Sequence, residues 1–188
     1  MAEADYTIID LDPGEGATFR RVSDVARWTK EVMDELGVSG ALKTSGASGL
    51  HVYLPLLAKT SCDSSLLLAK LIATRVAQQH GKQATVTRTV KSRPRGTVYV
   101  DYLQNVQGKS VASVFSLRAQ PAASVSTPLT RQELTNDLDP PFFTIDNILA
   151  QALARATMWS GALSKPNDLS ALQPFGQASK RPAASFRN

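Results

Sequence analysis

The sequence predicts an α+β fold in which helices pack on a mixed sheet. Three observations carry that prediction. Short apolar runs rich in β-branched residues alternate with two longer stretches whose apolar residues recur at helical spacing. Further along, ATVTRTV, TVYVDYL and SVASVFSLRA follow one another with only the turn-like SRPRG and QNVQGK between them, which suggests an antiparallel portion of the sheet. Helices are not interleaved regularly with strands, so a doubly wound fold fits less well.

Taken in order, residues 6–11 (YTIIDL) read as a buried strand ended by Pro13 and Gly14. A helix from about Ser23 to Leu36 carries Val22, Val25, Thr29, Val32, Met33 and Leu36 at helical spacing and stops at Gly37. A strand at residues 38–43, the loop TSGASG and the strand HVYLPL at 51–56 come next. A second helix, from about Ser64 to His80, places Leu67, Leu68, Leu71, Ile72 and Val76 on one side and ends at Gly81. After the three β-rich runs, RAQPAASVSTPL is a connection and residues 131–136 start a short helix. DPPFF is a turn with exposed or docking aromatics, and Ile145, Ile148, Leu149, Ala152, Leu153 and Ala156 outline a last helix. Residues 1–164 are expected to form one domain, and the Ser-, Pro-, Ala- and Gln-rich residues 165–188 a flexible tail.

Composition removes several function classes. Cys62 is the only cysteine, so neither an intramolecular disulfide nor a cysteine-rich zinc site can form, and the chain fits a reducing cytoplasm. No apolar run is long enough to cross a bilayer, and an amino terminus bearing Glu3 and Asp5 is not a signal peptide, so a soluble intracellular protein without a membrane partner is expected. The net charge is +5, but its distribution is uneven: residues 1–35 hold nine acids against four Lys or Arg, whereas residues 64–100 hold no acid against seven. Lys82, Arg88, Lys91, Arg93 and Arg95 within that second stretch suit a nucleic-acid backbone. The same charges would also serve to keep a helix and a hairpin in water.

Chemistry begins at TIIDLDPGEG. On a strand, residues two apart share a face, so Asp10 and Asp12 can present both carboxylates to one space, where a hard divalent cation would relieve their repulsion. Aspartates also collect at strand ends as turn formers. A third acid, Asp101, lies in VYVDYL, a run too apolar for ordinary surface decoration, and burying it unpaired would be costly. It therefore needs a partner: a metal shared with Asp10 and Asp12, or an ion pair with Arg88 or Lys91. Three such acids suit a two-metal polymerase or nuclease centre.

The loop KTSGASGLH narrows the choice. Gly46 and Gly49 permit a tight turn, Ser45 and Ser48 offer hydroxyls, and backbone N–H groups in such a loop can cradle phosphate, although the Gly-Lys-Ser/Thr ending of a Walker loop is absent. His51 follows the loop as a donor to polyphosphate or as a capping histidine. Arg118, at the end of the third β-rich run, could hold a phosphate in bidentate fashion if that strand lies beside the Asp101 strand, and Ser116 shares its face. No G-x-S-x-G elbow occurs, Cys62 has no local histidine, and Lys43 stands outside a K-x-D-G ligase pattern, which leaves it to phosphate or backbone contact or to packing. Trp28 and Trp159 read as packing residues.

Together, IIDLDPGEG, LKTSGASGLHVYLPL, VYVDYLQN, VFSLRAQPAASVSTPL and ELTNDLDPPFFTI resemble the polymerase domain of bacterial DNA ligase D, of the archaeo-eukaryotic primase superfamily, over residues 6 to 159. The resemblance implies a bilobed primase-polymerase core whose sheet includes an RRM-like unit. It implies a nucleotidyltransferase that extends DNA ends in non-homologous end joining, using nucleoside triphosphates and two divalent ions, manganese or magnesium, on Asp10, Asp12 and Asp101. Ser45, Gly46, His51, Ser116 and Arg118 would serve the nucleotide, and the Ku protein and a DNA ligase would be partners in a bacterial cytoplasm, near the nucleoid. Family members commonly carry lysine in place of Ser48 and arginine in place of Gln120, and have an amino-terminal portion not found here. Those departures keep open an alternative: a DNA-end-binding accessory module with the same fold and weakened or no turnover, with dimerisation as one way to complete the sheet.

Overall fold

The computed structural model of the chain describes residues 2–135, 138 and 143–170. Its centre is strand β1 (Tyr6–Pro13), in which Thr7, Ile9 and Leu11 are fully buried on one face while Ile8, Asp10 and Asp12 alternate onto the other. Helix α1 (Phe19–Glu35) follows; the Thr18 side chain caps it by accepting from Arg21 N–H, and Gly37 closes it at φ +68°. Strands β2 (Ala41–Thr44) and β3 (Leu50–Pro55) form a hairpin around the glycine loop. Helix α2 (Cys62–Gln79) is capped by Ser61 and leads to the two-residue strand β4 (Ala84–Thr85) and to β5 (Val98–Asp101). Strand β6 (Pro128–Leu129), the one-turn helix α3 (Ile145–Ile148) and helix α4 (Ala152–Leu163) complete the order.

The six strands lie in the order β4-β5-β1-β3-β2-β6. All pairs are antiparallel except β4 with β5, which is parallel, so the sheet is mixed as expected. Helices α1 and α2 cover the face bearing Ile9, Leu11, Leu50, Val52, Leu54, Val98 and Val100, and Val22, Val25, Val32, Leu68, Ile72 and Val76 supply the helical side of that core. The opposite face is covered at one end, where Trp159 packs edge-on to Tyr53 at 5.2 Å beside Ala41. The rest of that face carries the polar residues discussed below.

Three local expectations are corrected. ATVTRTV contributes only Ala84–Thr85, in a parallel pair, because the chain turns away through a loop that returns at Val98. SVASVFSLRA is not a strand: Phe115 has φ +62°, outside the extended region, and the bonding of residues 115–118 to 124–126 amounts to an isolated bridge, Leu117 to Val125, and not to a ladder. The expected run of three antiparallel strands is therefore absent. Within the expected tail, Asn167 and Leu169 are buried. Asn167 is buried, its Nδ2 donates to Ser39 O and Pro55 O, and its Oδ1 accepts from Ser39 N–H. Most of DPPFF and residues 171–188 lie outside the described residues, while Phe143 itself is buried in the core.

Candidate functional site

Strand register assembles the site. Asp10 on the central strand stands opposite Asp101 of β5 on one side and His51 of β3 on the other, and His51 stands opposite Lys43 of β2. Four polar residues that are distant in sequence thus form one row, Asp101, Asp10, His51, Lys43, across a single face of the sheet. Asp12 lies one pleat along, opposite Tyr99. Directly opposed like charges destabilise a sheet, so an Asp10–Asp101 pair calls for an interaction that offsets the repulsion.

All four members of the row are buried, and Lys43 is completely so. Asp101 is well supplied: its Oδ1 accepts from Leu103 N–H at 2.7 Å and from Tyr99 O–H at 3.2 Å, and its Oδ2 accepts from Gln104 Nε2 at 3.1 Å. These partners replace the Arg88 or Lys91 ion pair that the sequence left open. Burial, and then the adjoining Asp101, push the Tyr99 hydroxyl up to about 12, so it remains a donor throughout the neutral range. Asp10 is the opposite case. Its buried Oδ1 lies 3.3 Å from His51 Nε2 yet has no hydrogen-bond partner. Burial first, then the charges of Asp10 and Asp101, raise Asp12 from 3.8 to about 6, with Arg93 opposing.

Among the described residues, no group of three or more His, Cys, Asp or Glu side chains is gathered closely enough to hold a metal ion as it stands. The donor set nevertheless fits a hard divalent cation. Asp10 Oδ1 is an orphaned buried carboxylate oxygen, and Asp12 beside it sits in a negative field that Arg93 offsets only in part. Asp10 and Asp12 are the residues such an ion would engage first, with Asp101 adjoining and already occupied by its own donors.

The glycine loop lies against this row. Gly49 has to lack a side chain, since a Cβ there would sit 2.5 Å from Leu11 O and 3.5 Å from Asp12 Oδ1. Gly46, at φ +74°, is overlaid by Arg118, whose Cγ would be 2.6 Å from an added Cβ. Ser45 turns inward: its Oγ accepts from Ala47 N–H at 3.1 Å and Gly49 N–H at 3.0 Å, which shapes the loop and leaves the hydroxyl proton to donate. Arg118 arrives beside this loop and not beside the Asp101 strand, because the segment 116–118 bonds to Ser124 and Ser126 at the β2 side of the sheet. Its guanidinium makes no side-chain hydrogen bond or ion pair among the described residues. Ser116 Oγ meets Ser113 Oγ at 3.0 Å, so it is engaged within its own turn.

The basic residues divide. Lys82, Arg88, Lys91 and Arg95 are exposed. Arg93 is instead laid over the Tyr99 ring at 3.7 Å, and its guanidinium donates to Thr87 O and Arg88 O. It therefore flanks the carboxylates as part of the site wall. Sequence reasoning gave Lys43 no specific task, and it gave Tyr99, Gln104 and Ser126 none at all. Lys43 did carry a signal, a lysine inside the short strand ALKT where the alternation points it toward the histidine face.

A family model described as the LigD primase-polymerase domain matches residues 1–159. The multifunctional non-homologous end joining DNA repair protein LigD of Mycobacterium tuberculosis H37Rv is 37% identical over 127 residues, 68% of this chain and 17% of that protein. The Pseudomonas aeruginosa multifunctional LigD is 32% identical over 134 residues, 71% of this chain and 16% of its own length. The bifunctional LigD of Bacillus subtilis is 30% identical over 143 residues, 76% and 23% respectively. This chain thus spans a quarter or less of these relatives. Among solved structures, the polymerase domain of Mycobacterium tuberculosis ligase D in complex with DNA aligns with a TM-score of 0.79 and 30% identity, covering 88% of this chain and 57% of that one.

Proposed function

Because the chain belongs to the LigD primase-polymerase domain family, we propose that it is a metal-dependent nucleotidyltransferase that adds nucleotides to a DNA primer 3′ end during non-homologous end joining. The observation that carries this reading is the polar row across β5, β1, β3 and β2, with the orphaned Asp10 oxygen at its centre and the glycine loop and Arg118 at its side. When bound on Asp10 and Asp12 next to Asp101, divalent cations, manganese or magnesium, would supply Lewis acidity for the attacking 3′-hydroxyl and charge compensation for departing pyrophosphate.

The chain's own residues divide the remaining work. Arg118, overlying Gly46 with its donors unspent, grips the triphosphate. Ser45 shapes the loop whose backbone approaches the phosphates closely. His51 offers a ring nitrogen beside Asp10 to a phosphate oxygen. Exposed Arg88, Lys91 and Arg95 follow the nucleic-acid backbone, which makes binding salt-dependent. The solved relative carries DNA, which supports DNA ends as the partner; Ku, a ligase and a cytoplasmic setting near the nucleoid belong to the same reading. Among the described residues no helix is long and apolar enough to cross a membrane.

A second reading is favoured by one observation. Both Asp101 oxygens are already engaged by Tyr99, Leu103 and Gln104, as they could be in a DNA-end-binding accessory module that keeps the fold without turnover. Incubation with manganese, nucleoside triphosphates and a primer with a 5′ overhang separates them. Primer extension that Asp10→Ala abolishes supports the polymerase; salt-sensitive DNA binding without extension supports the module.

A further inference from the structure

Arg118 and the glycine loop are far apart in sequence, yet one residue bonds both. Ser124 is buried, its Oγ donates to Gly46 O, and its carbonyl accepts from Arg118 N–H at 2.8 Å. The bonds around it fall to one side or the other. Thr44 N–H donates to Thr127 O at 2.8 Å, Thr127 N–H to Thr44 Oγ1 at 2.9 Å and Ser126 Oγ to Thr44 O at 2.7 Å, which fixes the strand that enters the loop. Phe115 N–H donates to Ser126 O at 2.7 Å and Ser126 N–H to Ser116 O at 2.9 Å, which closes the base of the turn that carries Arg118.

Neither partner is fixed by its own bonds. Within the loop, Ala47 and Gly49 N–H donate to Ser45 Oγ and Ser45 N–H donates to Gly49 O; among the described residues only Ser124 bonds residues 45–49 from outside. The turn that carries Arg118 is bracketed by Phe115 at φ +62° and Ala123 at φ +46°, conformations that side-chain-bearing residues rarely adopt and that bonds to the surroundings have to impose. The two pieces also meet closely. A Cβ on Gly46 would lie 2.6 Å from Arg118 Cγ and 2.9 Å from Ser126 N, so any parting of loop and turn lifts the arginine stem off the loop.

We infer that Ser124 is a positioning residue for Arg118: with its hydroxyl on Gly46 and its carbonyl on the Arg118 N–H, it sets the spacing between guanidinium and glycine loop, so that one phosphate chain meets both together. Its purpose rests on the proposed nucleotide site. The coupling of loop to arginine is a property of the free protein and is testable without nucleotide.

The first experiment is amide hydrogen exchange in the wild-type full chain. Arg118 N–H and Gly49 N–H should be protected to a similar degree, as members of one opening unit, and both should slow further when manganese and a nucleoside triphosphate are added. An Arg118 N–H that exchanges freely while Gly49 N–H is protected overturns the inference. The second experiment compares Ser124→Thr, which keeps the hydroxyl, with Ser124→Val, which has the same shape without it. Ser124→Val should raise the nucleotide KM about tenfold over Ser124→Thr with kcat little changed, as when an outer hydrogen-bond partner of a site is removed. That loss should not add to the one in Arg118→Ala, because both act through one group. A merely structural serine would lower the urea midpoint of Ser124→Val and leave its KM equal to that of Ser124→Thr, which overturns the inference. Should Ser124→Val fail to fold, the wild-type exchange pattern decides. A wild-type chain that binds no nucleotide sinks the polymerase reading, and the exchange of the nucleotide-free protein still decides whether Ser124 couples the two.

Discussion

Replacing Asp12 by asparagine should make the metal-free protein more stable, because this carboxylate is held where its charge is unfavourable. Burial and the fields of Asp10 and Asp101 raise its pKa from 3.8 to about 6. At about 1.4 kcal/mol per decade of proton affinity, the ionised form costs the folded state about 3 kcal/mol. Asp12 is partly open to solvent, which screens the fields, so about 1–2 kcal/mol is the figure to expect. The sign follows from linkage. A carboxyl with a raised folded-state pKa binds its proton more tightly when folded, so the penalty is absent below 3.8, grows between 3.8 and about 6, and is complete above that. Thermal unfolding at pH 7.5 in a chelator should show Asp12→Asn melting roughly 2–8 °C above wild type, given the usual conversion for a chain of this size. At pH 4 and below the gap should close. Manganese should reverse it, because the wild type gains the ion's binding energy and the variant gains less. If Asp12→Asn is no more stable at pH 7.5, or keeps its advantage in acid, the carboxylates do not repel one another as described.

Three further outcomes test separate parts of the site. Gly49→Ala forces a Cβ to within 2.5 Å of Leu11 O, and should cost about 1–3 kcal/mol in urea unfolding while displacing the loop from Asp12. Arg118→Ala should leave the urea midpoint near wild type, since its guanidinium has no bonding partner among the described residues, and raise the nucleotide KM roughly 10- to 100-fold. Replacing Arg88, Lys91 and Arg95 together by alanine should flatten the salt dependence of DNA affinity by about 0.7–0.9 in log–log slope for each phosphate that is no longer neutralised, measured by fluorescence anisotropy. Arg93 is left intact in that variant because its place over Tyr99 serves the site wall.

What could be read from the sequence was whatever depended on periodicity along one element. The alternation of Thr7, Ile9 and Leu11 with Ile8, Asp10 and Asp12 announces both the strand and the common face of the two acids, and the structure keeps that alternation. Helices α1 and α2 likewise follow from spacing and from the stops at Gly37 and Gly81, with boundaries moved by a few residues at their amino-terminal ends. Phe115 could not be anticipated: VASVF has good β propensity, but a positive φ at a bulky residue is imposed by the bonding of residues 115–118 to 124–126, which is tertiary. The parallel β4–β5 pair was hidden for a related reason, since sequence adjacency favours a hairpin and only the returning loop prevents one.

The site depended on register, which sequence patterns specify only in part. That Asp10 faces Asp101 rather than Tyr99, and His51 rather than Gly49, is decided by the pairing of β1 with two neighbours at once. Slipping β3 by one residue against β1 would send His51 into the hydrophobic core, and slipping it by two would separate His51 from Asp10 while keeping every apolar residue buried. Burial alone therefore excludes the first slip and not the second. The second is opposed by the close passage of Gly49 over Leu11 O, which only a glycine permits, and by the Lys43–His51 hydrogen bond, which needs the β2–β3 register as well. The glycine loop thus does two things with the same residues: it sets a tight turn against the carboxylates and it pins the strand pairing that makes the polar row. A variant that relaxes the loop should weaken nucleotide binding and speed amide hydrogen exchange in the β2–β3 pair together, a coupling that a loop serving only the phosphates would not produce.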